Sequence, residues 1–238
     1  MSRTSRKPSN LSQSLHERLN SYALAASAAG VGVLALAQPS EAKVIYHSAH
    51  HVVESGQHYH LDLNHDGIAD FVIVNFPINR NSYYSFRSLR AWPATHANAI
   101  AAGQDGESLY ALALIEGMTI GFDRSEFFYG QGVNMASVDA PPCSLGCERG
   151  NWVDVQDHYL GLAFTIRGKL HYGWARLNVS VSRRPLRINT KLTGYAYETI
   201  PNKPIITGKT KGPDVITLER GSLGALAAGA TGLQSVAR

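Results

Sequence analysis

Residues 62–71 read Asp-Leu-Asn-His-Asp-Gly-Ile-Ala-Asp-Phe, a short stretch rich in oxygen donors. Asp62, Asn64, Asp66 and Asp70 occupy its first, third, fifth and ninth positions. Gly67 stands sixth, where a sharp turn calls for a residue tolerant of positive φ. Ca²⁺ is a hard cation that takes six to eight oxygens at about 2.3–2.6 Å. A winding loop with acids at alternate positions turns such oxygens inward, and the carbonyl of Ile68 adds a main-chain donor. The twelfth position is Ile73, where an EF-hand needs a bidentate Glu, so the loop is not an EF-hand. The competing reading is an ion-free turn in which Asp and Asn bond their own backbone. Three carboxylates so close repel one another unless something screens them, which favours a structural Ca²⁺.

Other residues offer weaker chemistry. His47, His50, His51, His58 and His60 fall within fourteen residues, and imidazoles bind Zn²⁺ or Cu²⁺ when three converge. Exposed strand histidines are the plainer alternative. Cys143 and Cys147 are the only cysteines, and in an exported protein they are expected to form a disulfide. So small a ring contributes about 2 kcal/mol, enough to staple a loop. Glu116, Asp123 and Glu126 lie near one another, and paired carboxylates can hydrolyse a glycosidic bond. Tyr172, Trp174, Tyr195 and Tyr197 are candidates for stacking on a sugar, although strand aromatics usually belong to a core. No nucleophile elbow, phosphate loop or zincin helix is present.

The elements that must position these groups are strands. Short runs rich in Val, Ile, Tyr, Phe and Thr recur at 43–47, 50–54, 57–63, 71–76, 108–115, 151–155, 158–167, 170–182 and 190–200. In one of them His158, Leu160, Leu162, Phe164 and Ile166 share a face opposite Tyr159, Gly161, Ala163 and Thr165, the period of a half-buried strand. Arg167-Gly168-Lys169 predicts a tight turn into the next strand. The Ala-rich residues 91–105 predict one short helix. This pattern predicts an all-β fold, an antiparallel β-sandwich of jelly-roll type, over residues 43–212.

The ends of the chain read differently. Residues 1–18 are polar and net positive, residues 22–37 are uncharged and rich in Ala, and small residues follow. These are the parts of a signal peptide over 1–42, its apolar portion a signal helix, with cleavage after Ala37 or Ala42. The apolar run is too short and too rich in Ala and Gly for a lasting membrane span. Residues 213–238 form a tail that ends in a short apolar, small-residue stretch. The chain has 22 basic and 18 acidic residues. Four of the basic ones and two of the acidic ones fall in 1–42, leaving 18 against 16. So balanced a remainder carries no footprint for nucleic acid.

The Asp-rich loop, with strand-like residues on both flanks, resembles the Asp-x-Asn-x-Asp-Gly-x-x-Asp calcium loops of FG-GAP and related extracellular repeats, over about ten residues. The leader, residues 111–121 (ALALIEGMTIG), 159–164 (YLGLAF), 171–177 (HYGWARL), 194–199 (GYAYET) and 204–208 (PIITG) together resemble uncharacterised bacterial exported proteins of the PEP-CTERM-associated type. The stretch 222–233 is similar to the apolar part of their sorting tails, without a Pro-Glu-Pro before it. The resemblance implies location and fold and carries over no catalytic residue. The sequence therefore predicts a secreted or cell-surface, calcium-stabilised protein with a binding or structural role and no catalysis, its partner a carbohydrate or other matrix polymer. The alternative is a secreted carbohydrate-active hydrolase.

Overall fold

The computed structural model describes residues 43–79, 85–105, 108–121, 127–140 and 148–218. The signal segment 1–42, Cys143, Cys147, Asp123, Glu126 and the stretch 219–238 lie outside the described residues. Fifteen strands are described: β1 (Val44–Val53), β2 (His58–Leu61), β3 (Phe71–Asn79), β4 (Ser85–Pro93), β5 (Ala99–Asp105), β6 (Ser108–Ala111), β7 (Thr119–Ile120), β8 (Phe127–Tyr129), β9 (Val133–Ala140), β10 (Glu148–Arg149), β11 (Val155–Ile166), β12 (Lys169–Arg183), β13 (Leu186–Glu198), β14 (Ile205–Ile206) and β15 (Val215–Leu218). The described residues contain no helix. None of their elements is therefore a helix long and apolar enough to cross a membrane.

Thirteen strands make one sheet in the order β15-β1-β13-β12-β11-β5-β6-β9-β4-β3-β2, with β10 on β9 and β8 on β5. Pairing is antiparallel except for β1–β15 and β6–β9. The sheet is curled, and β5 is the strand shared by its two limbs. Side chains of both limbs meet in one core: Leu61, Phe71, Ile73, Leu89 and Met135 from one, Leu160, Phe164, Leu177 and Leu192 from the other. A second apolar cluster lies on the other face of the β1/β13/β12/β11 limb. There Tyr46, Tyr159, Tyr172, Trp174 and Ala196 are covered by Leu114, Ile120 and Ile205, residues in and beside the β7–β14 ribbon.

The period-2 reading of β11 holds, with one addition. Leu160, Leu162 and Phe164 enter the main core, and Tyr159 and Ala163 enter the second cluster, so the strand is buried on both faces. Ile166 pairs with Lys169 across a two-residue turn in which Arg167 and Gly168 both have positive φ, as the sequence predicts. The expected strand at 151–155 is instead a turn, with Trp152 fully buried, leading into β11.

The helix expected over 91–105 is a correction. These residues form the end of β4, a turn and β5. Ala99, Ile100, Ala101 and Ala102 are all buried because both faces of β5 are covered where the limbs join. Small side chains allow that approach, and burial outweighs the modest helix preference of alanine.

Two buried asparagines tie the curl together. Asn75 on β3 donates through Nδ2 to Val53 O at 3.1 Å and to Ile188 O at 2.9 Å, joining its limb to β1 and β13. Asn98, just before β5, donates to Asp70 O at 2.9 Å and accepts from Thr165 N at 3.2 Å. Removing Asn98 leaves the half-buried Thr165 N–H without its partner and takes one of two donors from Asp70 O, which costs about 1–3 kcal/mol. Asn98→Ala is therefore expected to lower unfolding free energy by that amount in urea titration, and an exposed control such as Asn189→Ala by well under 1 kcal/mol.

Candidate functional site

The loop between β2 and β3 closes on itself through its own carboxylates. Leu61 pairs with Phe71 at its base, and Asp70 N donates to Leu61 O at 2.9 Å. Gly67 N donates to Asp62 Oδ2 at 2.9 Å, Ile68 N to Asp66 Oδ1 at 2.9 Å, and Leu63 N to Asp70 Oδ2 at 2.8 Å. Asn64 Nδ2 donates to Asp66 Oδ2 at 3.0 Å, and Asp66 N to Asn64 Oδ1 at a longer 3.4 Å. Gly67 has φ 88°, a conformation an L side chain would strain. Ile68, 66% exposed, marks the outer side of the loop.

These bonds draw the acids together without neutralising them. Asp62 Oδ1 is buried and meets no hydrogen-bond donor. Asp70 is buried, and its carboxyl is pushed up to about 7. Loss of solvent is the main cause and the nearby charges of Asp62 and Asp66 add to it, against the Leu63 amide. Burial first, then the same Asp62 and Asp70, also pushes the Tyr197 phenol up. Among the described residues, no three His, Cys, Asp or Glu side chains are gathered closely enough to cage a metal. The oxygens of Asn64 and of the main chain are a further source of donors.

The fourth residue of the loop supplies a contact that sequence reasoning missed. His65, in the left-handed region at φ 59°, stacks its ring on His47 with centroids 4.1 Å apart, and its Nε2 lies 2.7 Å from Tyr195 Oη. His47 and Tyr195 are direct partners across β1 and β13, with rings 4.9 Å apart. His47 is buried, and its pKa falls to about 4. Burial dominates, His65 contributes, and Asp62 opposes. The loop is thus bolted by a ring stack to the opposite limb. Its even-numbered ligand positions drew attention in the sequence, whereas His65, between them, carried no motif.

The five-histidine cluster does not converge. His47 joins His65, His51 stacks on Tyr59 at 4.2 Å, His58 meets Phe76 edge-on at 5.7 Å, and His50 and His60 are exposed. Glu116 is exposed in the turn before β7, while Asp123 and Glu126 lie outside the described residues. Tyr172 and Trp174 are core residues, at 1% and 0% exposure, so they offer no face to a sugar. No family model matches this chain, and neither a curated protein nor a solved structure matches it.

The two shifted groups have opposite pH signatures. Folded His47 takes a proton near 4 instead of 6.5, so the unfolded chain binds more protons in that window. Its contribution is complete above 6.5 and is lost as pH falls toward 4. Asp70 is raised from 3.8 to about 7, so its contribution is present below 3.8 and is lost as pH rises through 7. In thermal melts in chelator, His47→Phe is expected to gain on the parent as pH falls from 6.5 to 4. Asp70→Asn is expected to gain on it as pH rises from 4 to 7.5.

Proposed function

We propose that this chain is an exported, calcium-stabilised β-protein with a binding or structural role at the cell surface or in the matrix. Its loop 62–70 takes one Ca²⁺ through Asp62, Asn64, Asp66, Asp70 and the Ile68 carbonyl. The observation that carries the reading is the buried, unpartnered Asp62 Oδ1 beside an Asp70 carboxyl whose ionisation is disfavoured by burial first and then by its neighbours' charges. A divalent ion relieves both at once, since it supplies Asp62 with a partner and lets Asp70 ionise. The loop amides already hold one oxygen of Asp62 and one of Asp70, which limits the rearrangement the ion requires.

On this reading the ion does no chemistry. It fixes the β2–β3 connection, which Asp70 joins through Asn98 to β11, and so favours the closed arrangement of a jelly-roll-like sandwich. The leader composition of residues 1–42 supports export, and a Cys143–Cys147 disulfide fits the same compartment.

One site that binds only the folded state stabilises it by about 2.7 kcal/mol at a hundredfold excess of ligand over Kd. The melting temperature of the chelator-treated protein is expected to rise with added CaCl₂ at pH 7.5, and Asp66→Ala is expected to lose most of that rise. An unchanged melting temperature together with no heat in calorimetric titration defeats the reading.

A further inference from the structure

Away from the Asp-rich loop, β5, β6 and the turn after β10 enclose an open cavity of about 420 Å³. That size suits a small organic ligand. Gly103, Gln104, Tyr110, Arg149, Gly150 and Asn151 line it. Arg149 is the one charged side chain among them. The acid next to it in sequence, Glu148, is engaged elsewhere, its Oε1 2.8 Å from Arg183 Nε. Among the described residues, neither the Arg149 guanidinium nor the Tyr110 hydroxyl has a hydrogen-bond or ion-pair partner.

The surroundings of these two groups are built by backbone constraints. Gly103 is the cross-strand partner of Tyr110, so no side chain stands opposite Tyr110 on β5. Gly150 has φ 101°, and a Cβ there would lie 2.2 Å from Met135 O, so only glycine lets this turn close onto β9. That closure sets Arg149 and Asn151 on either side of the glycine. Asn151 Nδ2 is committed to Ala111 O at 3.0 Å, which fixes the amide plane and leaves Oδ1 to accept from a ligand hydroxyl.

We propose that this cavity binds a carboxylated saccharide, a hexuronate unit of a surface or matrix polymer, with Arg149 holding the carboxylate. A guanidinium presents a planar fork that matches a carboxylate with two parallel bonds. Among the described lining residues Arg149 is the one cation, which suits a singly charged ligand better than a phosphate dianion. The Tyr110 ring and hydroxyl, with the Asn151 amide oxygen, suit the mixed apolar and hydroxylated faces of a pyranose. The site rests on the binding role proposed above for its polymer source and is independent of the calcium loop.

The test is calorimetric titration of the full chain with trigalacturonate in chelator, which keeps calcium out of both partners. Saturable binding is expected, at least tenfold weaker with neutral galactotriose and at least tenfold weaker in Arg149→Gln. Arg149→Lys, which keeps the charge and loses the fork, is expected to fall between, and it serves as the readout if Arg149→Gln melts lower than the parent. Acetate at matched concentration is expected to leave the trigalacturonate isotherm unchanged. No binding of trigalacturonate, equal affinity in both Arg149 variants, or displacement by acetate overturns the proposal, the last showing a carboxylate site with no saccharide selectivity. Asp66→Ala is expected to keep full trigalacturonate affinity, so loss of the calcium response and loss of saccharide binding are separate results.

Discussion

A sheet that curls until its limbs face each other has to satisfy polar backbone groups where ordinary strand pairing gives out, and here two asparagine side chains do so. Each is almost fully inaccessible, at 1% for Asn75 and 2% for Asn98. Each bonds main-chain atoms from segments far apart in sequence. Apolar contact alone is directionless, since Leu and Phe side chains pack acceptably in many relative placements of two limbs. Asn98 bonds an atom of each limb, and Asn75 reaches from β3 to two carbonyls of the facing limb, so few placements keep these bonds and any other leaves polar groups unpaired in a dry interior. Register between the limbs is thus set by a handful of polar atoms within an otherwise greasy core.

The Asp-rich loop inherits its position from that arrangement and adds tension to it. Asn98 holds the Asp70 carbonyl, and Ala94 N donates to the same oxygen at 2.8 Å, so the base of the loop cannot drift. Its acids are held near each other by hydrogen bonds, and burial first, with the charges of Asp62 and Asp66 adding to it, raises the Asp70 carboxyl to about 7. The ring of His65, pinned between His47 and Tyr195, closes the loop from the other side. Burying an imidazole and a carboxyl so that the charged form of each is disfavoured is a costly way to fasten a turn, and it leaves the local energy sensitive to any cation that enters.

Much of this organisation was legible in the chain because it is local. The alternation of β11, the turn at Arg167 and Gly168, and the strands flanking the Asp-rich loop follow from residue type at short spacing. What escaped is non-local. The alanines of β5 look helical until both their faces are covered by partners distant in sequence. The second apolar cluster turns a strand that reads as half-buried into one buried on both faces over residues 159–164, because Leu114, Ile120 and Ile205 cover it from segments distant in sequence. Tyr172 and Trp174 could be read as sugar-stacking faces or as core for the same reason. Asn98 and His65 carry no motif at all, since their roles depend on which backbone atoms and rings the fold brings alongside. The cavity beside Arg149 was equally invisible, being shaped by two glycines and by what Glu148 does elsewhere.

The order of strands carries one last consequence. Both outer margins of the long sheet are four-residue strands, β2 beside β3 and β15 beside β1. At one margin sit the exposed imidazoles of His58 and His60, and at the other a parallel pairing that covers only Val44 to His47 of a ten-residue neighbour. Short, polar, partly mismatched margins make poor templates for another molecule's backbone. Among the described residues, the thirteen-stranded ribbon thus ends in places that discourage runaway stacking into fibres.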